Sequence, residues 1–234
     1  MRGTNPIRKP VQHDGATLDV QSIFATLQGE GPYAGWPAIF IRLGGCNLAC
    51  DFCDTEFESF APHTLEEILA RVNHLARRHP HPNPLPHAGE GNRVSLIVIT
   101  GGEPLRQPIA PLAERLIALG YKVQIETNGT LYRDLPAGVD IICSPKNTGV
   151  GYAPIRPDLL ARVGAFKFLL SASDARYADV PEIGQSQHGT PVYVQPMDEG
   201  DSAKNAANRA LAVQLAQTRG YRLSLQLHKI LGIE

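Results

Sequence analysis

The sequence predicts an α/β fold, an incomplete parallel β/α barrel of about six βα units. Short runs rich in β-branched and aromatic residues alternate along the chain with helical stretches, the pattern of repeated strand–helix units. Most of these runs are too apolar to leave one face in water, which places them in a parallel sheet covered on both sides. The units number about six, short of the eight that close a barrel, so the sheet is expected to stay open.

The first 17 residues, beginning MRGTNPIRKPVQHDG, are polar and interrupted by proline, and read as a flexible tail ahead of one domain over 18–234. Strands are expected at 37–43 (PAIFIRL), 94–100 (VSLIVIT), 121–126 (YKVQIE), 139–143 (VDIIC), 165–170 (AFKFLL), 191–195 (PVYVQ) and 222–227 (RLSLQL). Thr64 and Glu67 carry a capping-box signature at the head of a helix over 64–78. Gly120 closes a second helix over 109–119, and Gly220 a third over 202–219. Such strand–helix–strand repeats cross over right-handed. The segment 79–92, HPHPNPLPHAGEGN, breaks the pattern: with four prolines and almost no apolar residues it has nothing to bury and reads as a mobile insertion. Proline between its three histidines denies them a common helical face, which argues against a metal site there.

A net charge of −1 over 234 residues presents no large basic face for nucleic acid. No apolar run reaches membrane-spanning length and the first residues hold no apolar signal core, so the chain is expected in the cytoplasm, where thiols stay reduced.

In the run GGCNLACDFCDT, Cys46, Cys50 and Cys53 follow the spacing Cys-x3-Cys-x2-Cys. Three thiolates this close can surround one inorganic centre, yet they are one short of the four that saturate an iron–sulfur cluster. An iron without a protein ligand can bind and activate a small molecule, whereas structural zinc sites fill all four positions. The spacing also admits a zinc knuckle completed by Cys143 or one of the eight histidines. Cys143 follows VDII and reads as a buried strand-end thiol.

Further motifs fall just past the carboxyl ends of expected strands, where barrel enzymes place their chemistry. In Thr100-Gly101-Gly102-Glu103-Pro104 the glycines let backbone approach a ligand and the Glu103 carboxylate can receive an ammonium group. Glu126-Thr127-Asn128-Gly129 offers partners for ribose hydroxyls, or simply an Asn-Gly turn. Ser144-Pro145-Lys146 adds a hydroxyl and a cation.

With the aromatic Phe52 before its last cysteine, the cysteine motif resembles that of the radical S-adenosylmethionine (SAM) superfamily. The segment 24–42, FATLQGEGPYAGWPAIFIR, followed by GGCNLACDFCDTEF, TGGEP, ETNGT and SPK, resembles the 7-carboxy-7-deazaguanine synthase family over nearly the whole chain. LQGEG carries the distinction, because it lies outside the motif shared by the superfamily. The resemblance implies a [4Fe–4S] cluster on Cys46, Cys50 and Cys53, SAM and Mg2+ as cofactors, and a radical SAM barrel. It implies conversion of 6-carboxy-5,6,7,8-tetrahydropterin to 7-carboxy-7-deazaguanine with loss of ammonia, on the route to queuosine-type deazapurines, with electrons from a flavodoxin-like or ferredoxin-like protein and a homodimeric assembly.

By the same resemblance SAM falls to Phe52, Cys53, Asp54, Gly102, Glu103, Glu126, Asn128, Ser144, Pro145, Lys146 and Gln195, and magnesium to the hydroxyl after Cys-Asp, Thr55. The pterin falls to Leu27, Gln28, Gly29, Glu30, Arg42 and Thr100, with Glu234 as a further candidate. Arg42 can meet a carboxylate bidentately, and the Leu27–Glu30 stretch can read the heterocycle through backbone groups and one acid. Another radical SAM enzyme, such as an activase drawing hydrogen from a partner's glycine, is the alternative within the superfamily, and a zinc-binding interaction module the alternative outside it.

Overall fold

The computed structural model describes residues 5–78 and 95–233; the insertion expected at 79–92 and the candidate Glu234 lie outside the described residues. The described strands form a nine-stranded sheet in the order β3-β1-β2-β4-β5-β6-β7-β8-β9. They are β1 (Thr17–Leu27), β2 (Pro37–Leu43), β3 (Ala61–Thr64), β4 (Leu96–Gly101), β5 (Lys122–Thr127), β6 (Val139–Cys143), β7 (Val163–Leu170), β8 (Val192–Pro196) and β9 (Arg222–Leu223). β1 pairs antiparallel with both β2 and β3, and every pairing from β2–β4 to β8–β9 is parallel. The parallel part is the open, incomplete barrel expected from the sequence. Its six crossovers are unequal: α1 (Leu65–Arg78), α2 (Ala110–Ala118) and α4 (Ser202–Arg219) are full helices, α3 (Pro157–Leu160) is a single turn, and the β5–β6 and β7–β8 connections carry no α-helix; α5 (Leu227–Leu231) follows β9.

Helix boundaries follow their capping chemistry. The Thr64 backbone N–H donates to the Glu67 carboxylate at 2.8 Å and the Glu67 N–H to the Thr64 hydroxyl at 3.3 Å, the reciprocal capping box that starts α1. Asp201 caps α4 by accepting from the Lys204 N–H at 2.9 Å, and Gly220, at φ 70°, ends it. Along α1, Ile68, Leu69, Val72, Leu75 and Ala76 form one buried stripe on the sheet.

Side chains alternate across the sheet. Ile39, Ile41 and Leu43 of β2, Ile97 and Ile99 of β4, Val123 and Ile125 of β5, and Phe166, Phe168 and Leu170 of β7 meet the helices in the main core. The intervening residues face the other way. Near the amino ends of the strands Ala38, Leu96 and Val98 pack with Tyr33, Trp36 and Phe40. Further along, that inner face turns polar, carrying Arg42, Thr100, Glu126, Lys167 and Gln195, all of which line one cavity.

Two segments differ from expectation. β1 is a long strand that polar Asp19, Gln21 and Ser22 conceal; it pairs from Val20–Leu43 to Leu27–Pro37 with an irregularity at 20–22. The strand expected over 222–227 stops at Leu223, and Leu227 begins α5 instead.

Candidate active site

The cavity, about 260 Å³, opens where the carboxyl ends of the parallel strands meet the loop between β2 and β3. That loop carries the cysteines. Cys46, Cys50 and Cys53 all line the cavity, as do Phe52, Asp54 and Thr55. Cys53 N–H donates to Cys50 O at 3.1 Å, tightening the turn between them. Asn47 Nδ2 donates to the Thr130 hydroxyl at 2.7 Å and its carbonyl accepts from Asn128 Nδ2 at 2.9 Å, which ties the cysteine loop to the end of β5. Phe52 stands edge-on to Tyr177, with centroids 5.2 Å apart.

Two glycines let β4 meet the loop. A Cβ on Gly101, which sits at φ 134°, would lie 2.1 Å from Leu43 O, and one on Gly102 would lie 2.2 Å from Gly45 O. Behind them Glu103 is fully buried. Its carboxylate accepts from Leu105 N–H at 2.9 Å, from the Thr127 hydroxyl at 2.7 Å and from Asn128 N–H at 2.8 Å. Burial raises its pKa against those bonds. In this arrangement Glu103 is a clamp between the ends of β4 and β5, and its side chain is absent from the cavity wall, as is that of Pro145.

Burial pushes the Cys46 thiol up to about 12 and raises that of Cys50, the latter opposed by the charge of Lys146. A cluster that binds thiolates therefore has to displace protons on entry. The donor set fits such a cluster: three thiols of one loop open onto one cavity. Cys143 is buried away from it beside Gly129. Among the described residues, no three His, Cys, Asp or Glu side chains gather closely enough to hold a single metal ion. Thr55 offers its hydroxyl at the cavity edge, 3.4 Å from Asp54 Oδ1, so a magnesium ion there would take most of its ligands from substrate and water.

Across from the cysteines lies the segment 27–30. Gln28 Nε2 donates to Glu126 Oε1 at 3.1 Å, and Gln28 Oε1 accepts from Glu30 N–H at 3.0 Å. Arg42 lies over the Phe24 ring at 5.2 Å, held by an aromatic face with its guanidinium at the cavity. Ser144 Oγ and O both accept from Lys146 Nζ, at 2.6 and 2.7 Å, and burial lowers the pKa of that lysine.

The structure adds residues that the motifs did not indicate. Lys167 of β7 is buried in the wall, ion-paired with Glu30 and 3.7 Å from Glu126. Burial alone would raise the Glu30 pKa, but the charge and hydrogen bond of Lys167 outweigh it and hold the group at about 2. Gln226 Nε2 donates to the other Glu30 oxygen at 3.0 Å. From α5, Lys229 Nζ reaches Asp54 Oδ2 at 2.5 Å and Asp198 Oδ2 at 3.2 Å, fastening the cysteine loop to the end of β8. A lone lysine inside the apolar run AFKFLL was the available signal for Lys167, because a buried ammonium requires carboxylate partners.

A family model described as the Radical SAM superfamily matches residues 40–150. A protein of Rickettsia prowazekii named 7-carboxy-7-deazaguanine synthase is 52% identical over all of this chain and 96% of its own length. The chain belongs to the 7-carboxy-7-deazaguanine synthase family. A Rhodospirillum rubrum protein of the same name is 42% identical with both chains fully covered. The crystal structure of QueE from Escherichia coli superposes with a TM-score of 0.67 at 26% identity, covering 90% of this chain and 94% of that one. A member of the 7-carboxy-7-deazaguanine synthase family is a radical SAM enzyme with a [4Fe–4S] cluster, SAM and Mg2+ as cofactors. The glycyl-radical activase and the zinc module give way to it.

Proposed function

We propose that the chain converts 6-carboxy-5,6,7,8-tetrahydropterin to 7-carboxy-7-deazaguanine with release of ammonia, in deazapurine biosynthesis. One observation carries the reading: a single cavity joins the three cysteines on one side to Arg42, Glu30 and the LQGE backbone on the other. When bound, the cluster and SAM supply reductive cleavage to a hydrogen-abstracting radical.

The chain's own residues bind and orient. Arg42, already aligned by Phe24, takes the substrate carboxylate as a charge-assisted pair. Glu30, kept ionised by Lys167, accepts from the N–H groups of the pterin edge, while backbone groups of Leu27 to Gly29 and the Thr100 hydroxyl complete the frame. Phe52, Asp54, Gly102, Glu126, Asn128, Ser144, Lys146 and Gln195 form the SAM side, with Thr55 toward magnesium. Glu103 serves SAM through the backbone it clamps.

The electron source is a flavodoxin-like or ferredoxin-like protein, and the enzyme works as a cytoplasmic homodimer. Among the described residues no helix is long and apolar enough to cross a membrane. Anaerobic incubation with SAM, dithionite, magnesium and the carboxytetrahydropterin tests the reaction. Deazapurine together with 5′-deoxyadenosine is expected, and 5′-deoxyadenosine without deazapurine overturns the substrate.

A further inference from the structure

The segment ahead of β1 is laid along the cysteine loop from its first described residues. Ile7 pairs with Cys46 in a parallel bridge, and Arg8 N–H donates to Cys46 O at 2.7 Å. The Arg8 guanidinium pairs with Glu58 at 2.5 Å and lies over the Phe60 ring at 5.2 Å, both on the same loop. Val11 N–H donates to Arg106 O at 2.9 Å, and Val11 O accepts from Arg133 Nη2 at 2.6 Å. A strap anchored at so many points fixes what its described residues can touch. The first described residue is Asn5, which lines the cavity: its Nδ2 donates to Thr55 O at 3.1 Å and lies 3.9 Å from Cys53 Sγ.

We propose that Asn5 tunes the cluster, its amide N–H directed at the Cys53 sulfur so that the reduced state is favoured. Hydrogen bonds to the sulfurs are among the factors that set a cluster's reduction potential. The bond strengthens as the acceptor gains negative charge, so it stabilises the reduced cluster more than the oxidised one. A neutral amide does this without the desolvation cost of a buried cation. The rest of the strap holds Asn5 in place and covers that side of the loop. Asn5 acts through Cys53 and is a positioning residue.

The inference rests on the cluster reading above, and the test separates the two. Parent, Asn5→Leu and Asn5→Asp are reconstituted anaerobically, assayed for iron and sulfide, and titrated against redox mediators with the reduced cluster followed by electron paramagnetic resonance. At the parent's midpoint the reduced-to-oxidised ratio should fall about tenfold in Asn5→Leu, equivalent to about 59 mV for one electron. It should fall further in Asn5→Asp, where a carboxylate replaces the donor. An unchanged or raised ratio in Asn5→Leu at full iron content overturns the proposal. If Asn5→Leu holds no iron, the isosteric Asn5→Asp decides by the same reading, and failure of both to hold iron also overturns it, since Asn5 is then needed for assembly. A parent that takes up no iron refutes the cluster reading itself.

Discussion

Lys167 and Glu30 stand 137 residues apart in the chain and form an ion pair in the wall of the cavity. The pair decides the protonation state of Glu30, the acid proposed to meet the pterin edge, because burial by itself would favour the neutral carboxyl.

Removing the cation should be costly. Lys167→Met deprives Glu30 and Glu126 of the cation they share, and breaking a buried pair in this way typically costs about 3–5 kcal/mol. Adding Glu30→Gln should recover part of the loss. Urea unfolding of the two singles and the double gives the coupling energy, and additivity within about 0.5 kcal/mol would remove the pair from the account.

The sign of the pH dependence follows from the same pair. The folded pKa of Glu30 is depressed from 4.5 to about 2, so its stabilisation is complete above the unfolded value and is lost as pH falls through that window. In Lys167→Met burial dominates and raises the folded value, so acidification from neutral pH should stabilise that variant relative to the parent. Thermal melts across the acid range check the crossing.

Recognition and radical generation should separate. Arg42→Met should keep iron and slow uncoupled SAM cleavage while deazapurine formation falls by about two orders of magnitude, since a lost charge-assisted contact costs about 2–4 kcal/mol. Thr55→Ala should recover part of its activity at high magnesium by mass action. Product and 5′-deoxyadenosine measured in parallel across a magnesium titration distinguish them, and normal turnover in Arg42→Met would refute its role.

Each of Cys46, Cys50 and Cys53 replaced singly by alanine should abolish iron binding and SAM cleavage, whereas Cys143→Ala should retain both. Loss of iron in Cys143→Ala with retention in any of the other three would reassign the ligands.

Gly102→Ala should fail for a different reason. The added methyl collides with Gly45 O, and the backbone on both sides has to move, so the cysteine loop shifts. Iron content is expected to fall even though no ligand is touched.

The parallel strands and the three long helices were legible because their signals are local: continuous apolar runs, a capping box, glycine stops. So were the motifs at strand ends, which all reach one place because parallel strands end together. β1 was hidden because its mixture of polar and apolar residues suits a strand paired antiparallel at the barrel's margin, without the continuous apolar run that marks a central strand. Lys167, Gln226 and Lys229 were hidden because each derives its role from a partner remote in sequence. Lys229 meets Asp54 across 175 residues, a relation that no spacing rule encodes. The amino-terminal segment read as loose because nothing apolar holds it, yet backbone bonds to Cys46 and Arg106 do.

An open sheet leaves two strands able to recruit more. Here both margins discourage it: β3 reads Ala-Pro-His-Thr, with a proline that has no N–H to offer, and β9 is two residues long. Copies of this chain therefore have little template on which to extend one another's sheets, and an assembly has to be built from helices and loops. The segment after β9 instead bonds to the one after β1, with Leu227 N–H donating to Gly29 O at 3.1 Å and Gly31 N–H to the Ser224 hydroxyl at 2.9 Å, so loops and not further strands continue the barrel's circumference.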